Sequence, residues 1–150
     1  MNPRTSKAKG RRLQNWVRDK LHYAFITVWT KIPRLEEDDI KSQTMGMPGE
    51  DIVLSPAARK IIPYSFECKN VEKLNIWSAI EQAETNCPTE STPVTVIKRN
   101  RSNVYTVMLF DDWIKLIGGM NEPISNSNKR VGSSKDNGSS NTSIRSKSRG

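Results

Sequence analysis

Three residues in this chain have the types and spacing to do chemistry together: Asp51 in "GEDIVLS" (49–55), and Glu67 and Lys69 in "SFECKN" (65–70). Side chains alternate across a strand, so Ser65, Glu67 and Lys69 share one face of the second segment and Phe66 and Cys68 the other. Phe66 and Cys68 are expected in the core, where a free cysteine behaves as a small hydrophobe. The two charged groups are expected on one polar surface. On "DIVLS" the same rule sets Asp51 and Val53 against Ile52 and Leu54. A hairpin through residues 55–63 brings Asp51 beside Glu67, close enough for two carboxylates to share a hard cation. Mg²⁺ or Mn²⁺ suits such a pair, because Mg²⁺ takes oxygen ligands and keeps several of its waters. Lys69, one pleat further on, would then orient or deprotonate a water, or steady the charge that grows on a phosphate oxygen. Taken alone, an acid followed two residues later by lysine is an ordinary surface ion pair; the upstream aspartate after a Gly-rich turn gives it weight.

The 24 Lys and Arg against 16 Asp and Glu leave a net charge of +8, which favours a polyanionic partner, nucleic acid first. The plainer alternative is a basic tail that keeps the protein soluble. Cys68, Cys87 and His22 cannot supply the four ligands of a zinc site. The N-terminal "MNPRTSKAKGRR" lacks an apolar signal core and no apolar run is long enough to span a bilayer, so no membrane association is expected. A soluble, intracellular, cytoplasmic protein with reduced thiols is predicted.

At 150 residues the chain has room for one domain, expected over 1–120. Leu13, Trp16, Val17, Leu21, Phe25 and Val28 recur at helical intervals, predicting one long helix from Gly10 to about Ile32. An acidic patch, a short extended run at 40–44 and a Gly/Pro loop follow. "DIVLS" predicts a strand, "SPAARKII" a brief helix capped by Ser55 with Pro56 first, and "YSFECKN" the next strand. "VEKLNIWSAIEQAETN" places Leu74, Trp77, Ile80 and Ala83 on one helical face. "TPVTVIKRN" and "NVYTVML" read as a hairpin with a basic tip, and "DDWIKLI" as a last helix stopped at Gly118. Residues 121–150 are Ser, Asn, Gly and Lys or Arg with few large apolar side chains, and a disordered basic tail is expected there. The order amounts to an α/β fold, a mixed central sheet flanked by helices.

"GEDIVLS", "PYSFECKN" and "KLNIWSAIEQAE" together resemble the PD-(D/E)XK nuclease superfamily, and most closely small phage-type members related to archaeal Holliday-junction resolvases. The likeness covers roughly residues 7 to 117. It implies a restriction-endonuclease-like αβββαβ core and Mg²⁺-dependent hydrolysis of DNA phosphodiesters, with branched DNA as substrate and a homodimer presenting two sites. It assigns Asp51 and Glu67 as metal carboxylates, Lys69 as the motif lysine and the Cys68 carbonyl as a further metal ligand. Glu50 stands where the motif has proline, and on a strand it should face away from Asp51. Where many relatives place a glutamate on the first helix this chain offers Gln14, which can hold a metal-bound water but adds no charge. Gln82 corresponds to a glutamine often found near the site.

Lys9, Arg11 and Arg12 at the first helix, and Lys98, Arg99 and Arg101 at the hairpin tip, are candidates for phosphate contacts, or plain surface charges. Ser42 and Thr44 either donate to a phosphate or cap a turn. Trp16, Trp77 and Trp113 are expected as core packing. His22 is expected to be structural rather than catalytic; Tyr23 and Trp29, with it, are candidates for a dimer-facing surface.

Overall fold

The protein's structure is a computed structural model that describes residues 2–119; the tail expected from Asn121 lies outside them. The Asn2 side chain accepts a hydrogen bond from the Arg4 N–H at 3.1 Å, and Pro3 takes the first helical position, where its missing N–H costs nothing. Helix α1 therefore spans Pro3–His22, beginning well before the expected Gly10. It widens into a π-helical turn over Tyr23–Val28 and stops at Trp29, short of Pro33. Strands β1 (Ile40–Ser42) and β2 (Ile52–Leu54) are antiparallel partners. Helix α2 (Pro56–Ile61) starts on Ser55, whose hydroxyl accepts from the Ala58 N–H at 3.1 Å. Then come β3 (Tyr64–Asn70), α3 (Ile76–Asn86), β4 (Thr92–Lys98), β5 (Tyr105–Val107) and α4 (Phe110–Gly118). Helix α3 starts later than the expected pattern, because the Asn75 side chain caps it by accepting from the Ser78 N–H at 3.1 Å.

The fold is mixed α/β, as its element order predicts. Strand β4 pairs parallel with β3 and antiparallel with β5, the latter forming the expected hairpin. One continuous sheet does not form: β1 and β2 make a separate ribbon beside the β3-β4-β5 sheet. The reason lies at Asp51. Its N–H donates to the Phe66 carbonyl at 2.9 Å while its own carbonyl accepts from the Gln43 N–H at 2.8 Å. A regular strand residue sends both groups to one neighbour; here they are divided, so the chain bends and the ladder between β2 and β3 cannot extend.

Between ribbon, sheet and α1 lies one apolar cluster that includes Leu13, Val17, Ile40, Ile52, Cys68 and Val96. Two expectations about burial fail. Ser65 and Glu67 are each only 3% exposed and Phe66 is half-buried, so the polar face of β3 is an interior layer and not a surface. Helix α3 covers it, coming close through its small buried residues Ala79 and Ala83. The tryptophans expected in the core are exposed: Trp16 at 45%, Trp77 at 74% and Trp113 at 44%. Alanines carry the packing of α3, and Trp16 is covered instead by Lys20, whose ammonium sits 5.3 Å from its ring. His22 is half-buried and donates from Nε2 to the Ile40 carbonyl at 2.7 Å, a structural contact, while Tyr23 and Trp29 stay exposed.

Arg59 of α2 locks the sheet ends together. Its guanidinium makes a two-pronged pair with Glu50 and also donates to the Tyr64 carbonyl at 3.3 Å and the Ser91 hydroxyl at 3.1 Å. Neither Glu50 nor Asp51 is in a strand, so the expected alternation does not apply; Glu50 is drawn instead to Arg59. Both side chains are largely shielded, at 21% and 11% exposure, so losing one leaves the other's charge poorly solvated. Arg59→Ala should cost about 2–4 kcal/mol in chemical denaturation, and a loss under about 1 kcal/mol would show that this network is not structural.

Candidate active site

The bend at Asp51 turns its carboxylate onto the edge of β3. There Oδ2 accepts the Cys68 backbone N–H at 2.6 Å, and Oδ1 accepts Nε2 of Gln14, from α1, at 2.6 Å. Glu67, on the face covered by α3, accepts Lys69 Nζ at 2.7 Å on Oε1 and Asn86 Nδ2 at 3.2 Å on Oε2. The Lys69 ammonium also donates to Gln82 Oε1 at 2.7 Å. Three elements, α1, β3 and α3, therefore converge on the two acids. All of these side chains line one cleft of about 450 Å³.

Its remaining wall is the β1–β2 loop, Met45 to Gly49. Gly46 and Gly49 have φ of +86° and +102°, left-handed conformations that a Cβ would strain, so the glycines let this loop fold over the cleft.

Burial pushes the Asp51 carboxyl above its ordinary value and the charge of Glu67 pushes it further, against the opposing hydrogen bonds from Cys68 and Gln14 and the charge of Lys69. Burial, with both carboxylates nearby, pushes the Cys68 thiol up as well, which favours its protonated form. The Cys68 backbone is another matter. Its N–H faces Asp51, and in a strand the carbonyl of the same residue points to the same side.

This donor set fits a hard cation. Two carboxylates compete for the same charge-poor space, and Gln14 Oε1 is buried with no hydrogen-bond partner among the described residues, an orphaned acceptor that a cation or its water would satisfy. Among the described residues no group of three or more His, Cys, Asp or Glu side chains is placed to hold a metal. A cation here would rest on two acids, with neutral oxygens and water completing its shell.

Asp51, Glu67, Cys68, Lys69, Gln14 and Gln82, all expected from the sequence, come together in the cleft. The basic candidates do not line it. Lys9 donates to Asn100 Oδ1 at 2.8 Å and Arg11 to the Gln43 carbonyl at 2.7 Å, where each ties α1 to a loop. Lys98 is engaged by the Ser102 carbonyl, and Ser42 donates to Asn15 Oδ1 at 2.9 Å instead of standing ready for a phosphate. Arg12, Thr44, Arg99 and Arg101 are exposed. Asn86 is the residue that sequence reasoning missed; it lies one helical turn after Gln82, a spacing that puts both on one face.

Comparison with protein-family models, with curated proteins and with solved structures yields no match.

The raised Asp51 value has a consequence for stability. A carboxyl that holds its proton more tightly when folded stabilises the fold at pH below its ordinary value, and that contribution is lost as pH rises through the folded value. Asp51→Asn removes the ionisation and keeps an acceptor for Cys68. In metal-free buffer the variant should melt above the wild type at pH 7, with the gap closing as the pH falls. Melting curves across that range check this; a variant less stable at neutral pH contradicts it.

Proposed function

We propose that this chain is a divalent-metal-dependent endonuclease of restriction-endonuclease-like fold, acting on DNA phosphodiesters and selective for branched DNA such as a four-way junction. The observation that carries the reading is the meeting of Asp51, Glu67 and Lys69 in one cleft, walled by Gln14, Gln82 and Asn86. Asp51, Glu67 and the Cys68 carbonyl would hold Mg²⁺ or Mn²⁺, which would supply Lewis-acid activation of the phosphate and of a water.

The chain's own residues do the rest. Asn86 fixes the second oxygen of Glu67, so the carboxylate keeps one rotamer. Gln82 and Glu67 hold Lys69 Nζ between them, presenting a positive charge at the cleft wall. There it stabilises charge that grows on a phosphate oxygen and serves in proton transfer. Arg12, Arg99 and Arg101, exposed on α1 and the β4–β5 turn, suit contacts with the phosphate backbone, which position DNA without reading its sequence.

A second reading has a specific observation behind it. All four oxygens of the two acids already accept hydrogen bonds from protein donors, so the acids are held in place without a cation. On that reading the protein grips nucleic acid without cutting it. Incubating purified protein with a junction, a flap and a plain duplex, in Mg²⁺, in Mn²⁺ and in EDTA, separates the two: binding without metal-dependent cleavage in every case sinks the nuclease.

Glu67→Gln and Asp51→Asn should each abolish turnover and retain DNA affinity, because they remove cation ligands and leave phosphate contacts alone. Lys69→Ala should slow cleavage by about 10²–10⁴-fold. Full cleavage by either carboxylate variant overturns the assignment. Gln14→Glu should lower the melting temperature in EDTA, by crowding a third acid against Asp51, and recover it when Mg²⁺ is added. Failure of Mg²⁺ to restore the melting temperature counts against a cation at this position.

A further inference from the structure

The β1–β2 loop is pinned at its base and apolar at its tip. Gln43 donates its N–H to the Asp51 carbonyl at 2.8 Å, and its own carbonyl accepts from the Arg11 guanidinium at 2.7 Å, so the loop's two ends are tied to each other and to α1. The Met47 N–H donates to the Thr44 carbonyl at 3.1 Å, closing a four-residue turn whose third residue, Gly46, has the positive φ that a type II turn needs there. Pro48 follows, and a residue before proline is confined to extended backbone. The tip therefore has a set shape. What it carries is "MGMPG", with Met45 40% and Met47 58% exposed. A Cβ on Gly10 would meet the Met45 methyl at 3.7 Å, so Met45 leans on α1 while Met47 stands further out. Loops that only connect strands are ordinarily polar at the tip. This one sets apolar side chains on the wall of the cleft that contains Asp51, Glu67 and Lys69.

We propose that Met47, with Pro48 beside it, is a wedge that enters the base stack of DNA where stacking is already interrupted, and so selects branched DNA over continuous duplex. The proposal rests on the nuclease reading for its DNA partner and deepens it by naming the residue that discriminates. Methionine and proline are among the apolar side chains that part base steps. Opening an intact step costs about as much as burying one methionine side chain stabilises, so insertion into continuous duplex brings no net gain. At a branch point or flap the step is open beforehand, and the thioether keeps its full contact with the base faces. Because the tip and the two acids share one cleft, a step held at Met47 has its phosphates beside the acids and Lys69. Arg11, exposed at the loop's base, adds positive charge for the backbone next to the wedge.

Other assignments fit less well. A protein segment seated on the tip would close the cleft against any substrate. Trp77, 74% exposed, offers a larger flat surface to a base, but it does not line the cleft. Trp16 is covered by the Lys20 ammonium, and Trp29 makes an edge contact with Phe25 at 5.5 Å between ring centres. Met47 is the exposed apolar side chain that sits where the chemistry is proposed.

The test reads unstacking directly, with the full chain and in EDTA so that no strand is cut. The adenine analogue 2-aminopurine, which brightens when unstacked, is placed at the branch point of a four-way junction and at the same sequence position in a plain duplex; anisotropy of a separate end label follows binding. Wild type should raise the emission at the branch point and not in the duplex. Met47→Ser should abolish that rise and shrink the preference for junction over duplex, read as the ratio of dissociation constants, by about 10-fold. Met47→Leu, apolar and of similar volume, should recover both. Since Met47 is exposed, both variants should keep the wild-type circular dichroism. Asp51→Asn should show the full rise, which separates the wedge from the chemistry. A rise that survives in Met47→Ser, a junction preference unchanged in that variant, or no recovery in Met47→Leu overturns the wedge and leaves the nuclease reading standing. A rise that depends on Met47 in a protein that cuts nothing in Mg²⁺ or Mn²⁺ supports the wedge and sinks the nuclease alone, and a protein that binds neither DNA overturns both.

Discussion

The arrangement of the molecule depends on a single residue being shared between two sheets. Asp51 gives its carbonyl to β1 and its N–H to β3, and its side chain then reaches along β3 to accept the Cys68 N–H. The two bonds to β3, at Phe66 and Cys68, fasten the β1–β2 ribbon to the sheet edge. Each is a modest interaction singly, of order 1 kcal/mol, rising where the acceptor is ionised. Their importance is geometric. Outward-facing groups on β3 fall at every second residue, so Phe66 and Cys68 satisfy Asp51 while Glu67, between them, directs its side chain under α3. The same pleat that anchors one acid therefore aims the other, and the separation of the two is set by backbone, not by side-chain freedom.

This explains both what was legible in the sequence and what was not. Strand alternation places Ser65, Glu67 and Lys69 together, and the hydrogen bonds of Glu67 and Lys69 to α3 agree with that. Local chemistry is equally readable at Ser55 and Pro56, where a cap and a fixed φ start α2 at the expected place. The expectations that failed were those set by tertiary contacts. Nothing local says that α3 should cover the polar face of β3, so Glu67 reads as a surface acid when it is 3% exposed. Trp77 falls on the apolar period of its helix, yet small alanines let that helix lie closer to the sheet than an indole would allow. The divided hydrogen bonding of Asp51, too, has no signature in residue type.

The charge of the chain is distributed to match this layout. The net charge is +8, but the cleft holds two acids against one lysine. Outside the cleft, two contacts bring separate basic segments together. Lys9 donates to Asn100 while Asn70 donates back to the Lys9 carbonyl at 3.1 Å, so the first turns of α1 lie against the β4–β5 turn. Arg11 and Arg12 on one segment and Arg99 and Arg101 on the other thereby become parts of one region. Arg101 holds a left-handed φ of 57° at the tip, where the backbone reverses.

Such a cleft is costly to keep. Ionised Asp51 in a buried position beside Glu67 opposes folding, and the protein offsets that with four specific donors and with the Arg59 network that holds Glu50 away from the pair. A structural polar layer would be expected to end fully paired. This one leaves Gln14 Oε1 buried and without a partner among the described residues, beside an acid whose carboxyl pKa is pushed up by burial. The amide nitrogen of Gln14 is committed to Asp51 while its oxygen meets no donor among the described residues, and a bound cation or water is the kind of partner that would satisfy it. The hydrogen bonds from Gln14, Cys68, Lys69 and Asn86 are what hold the two acids in fixed positions on either side of β3's pleat.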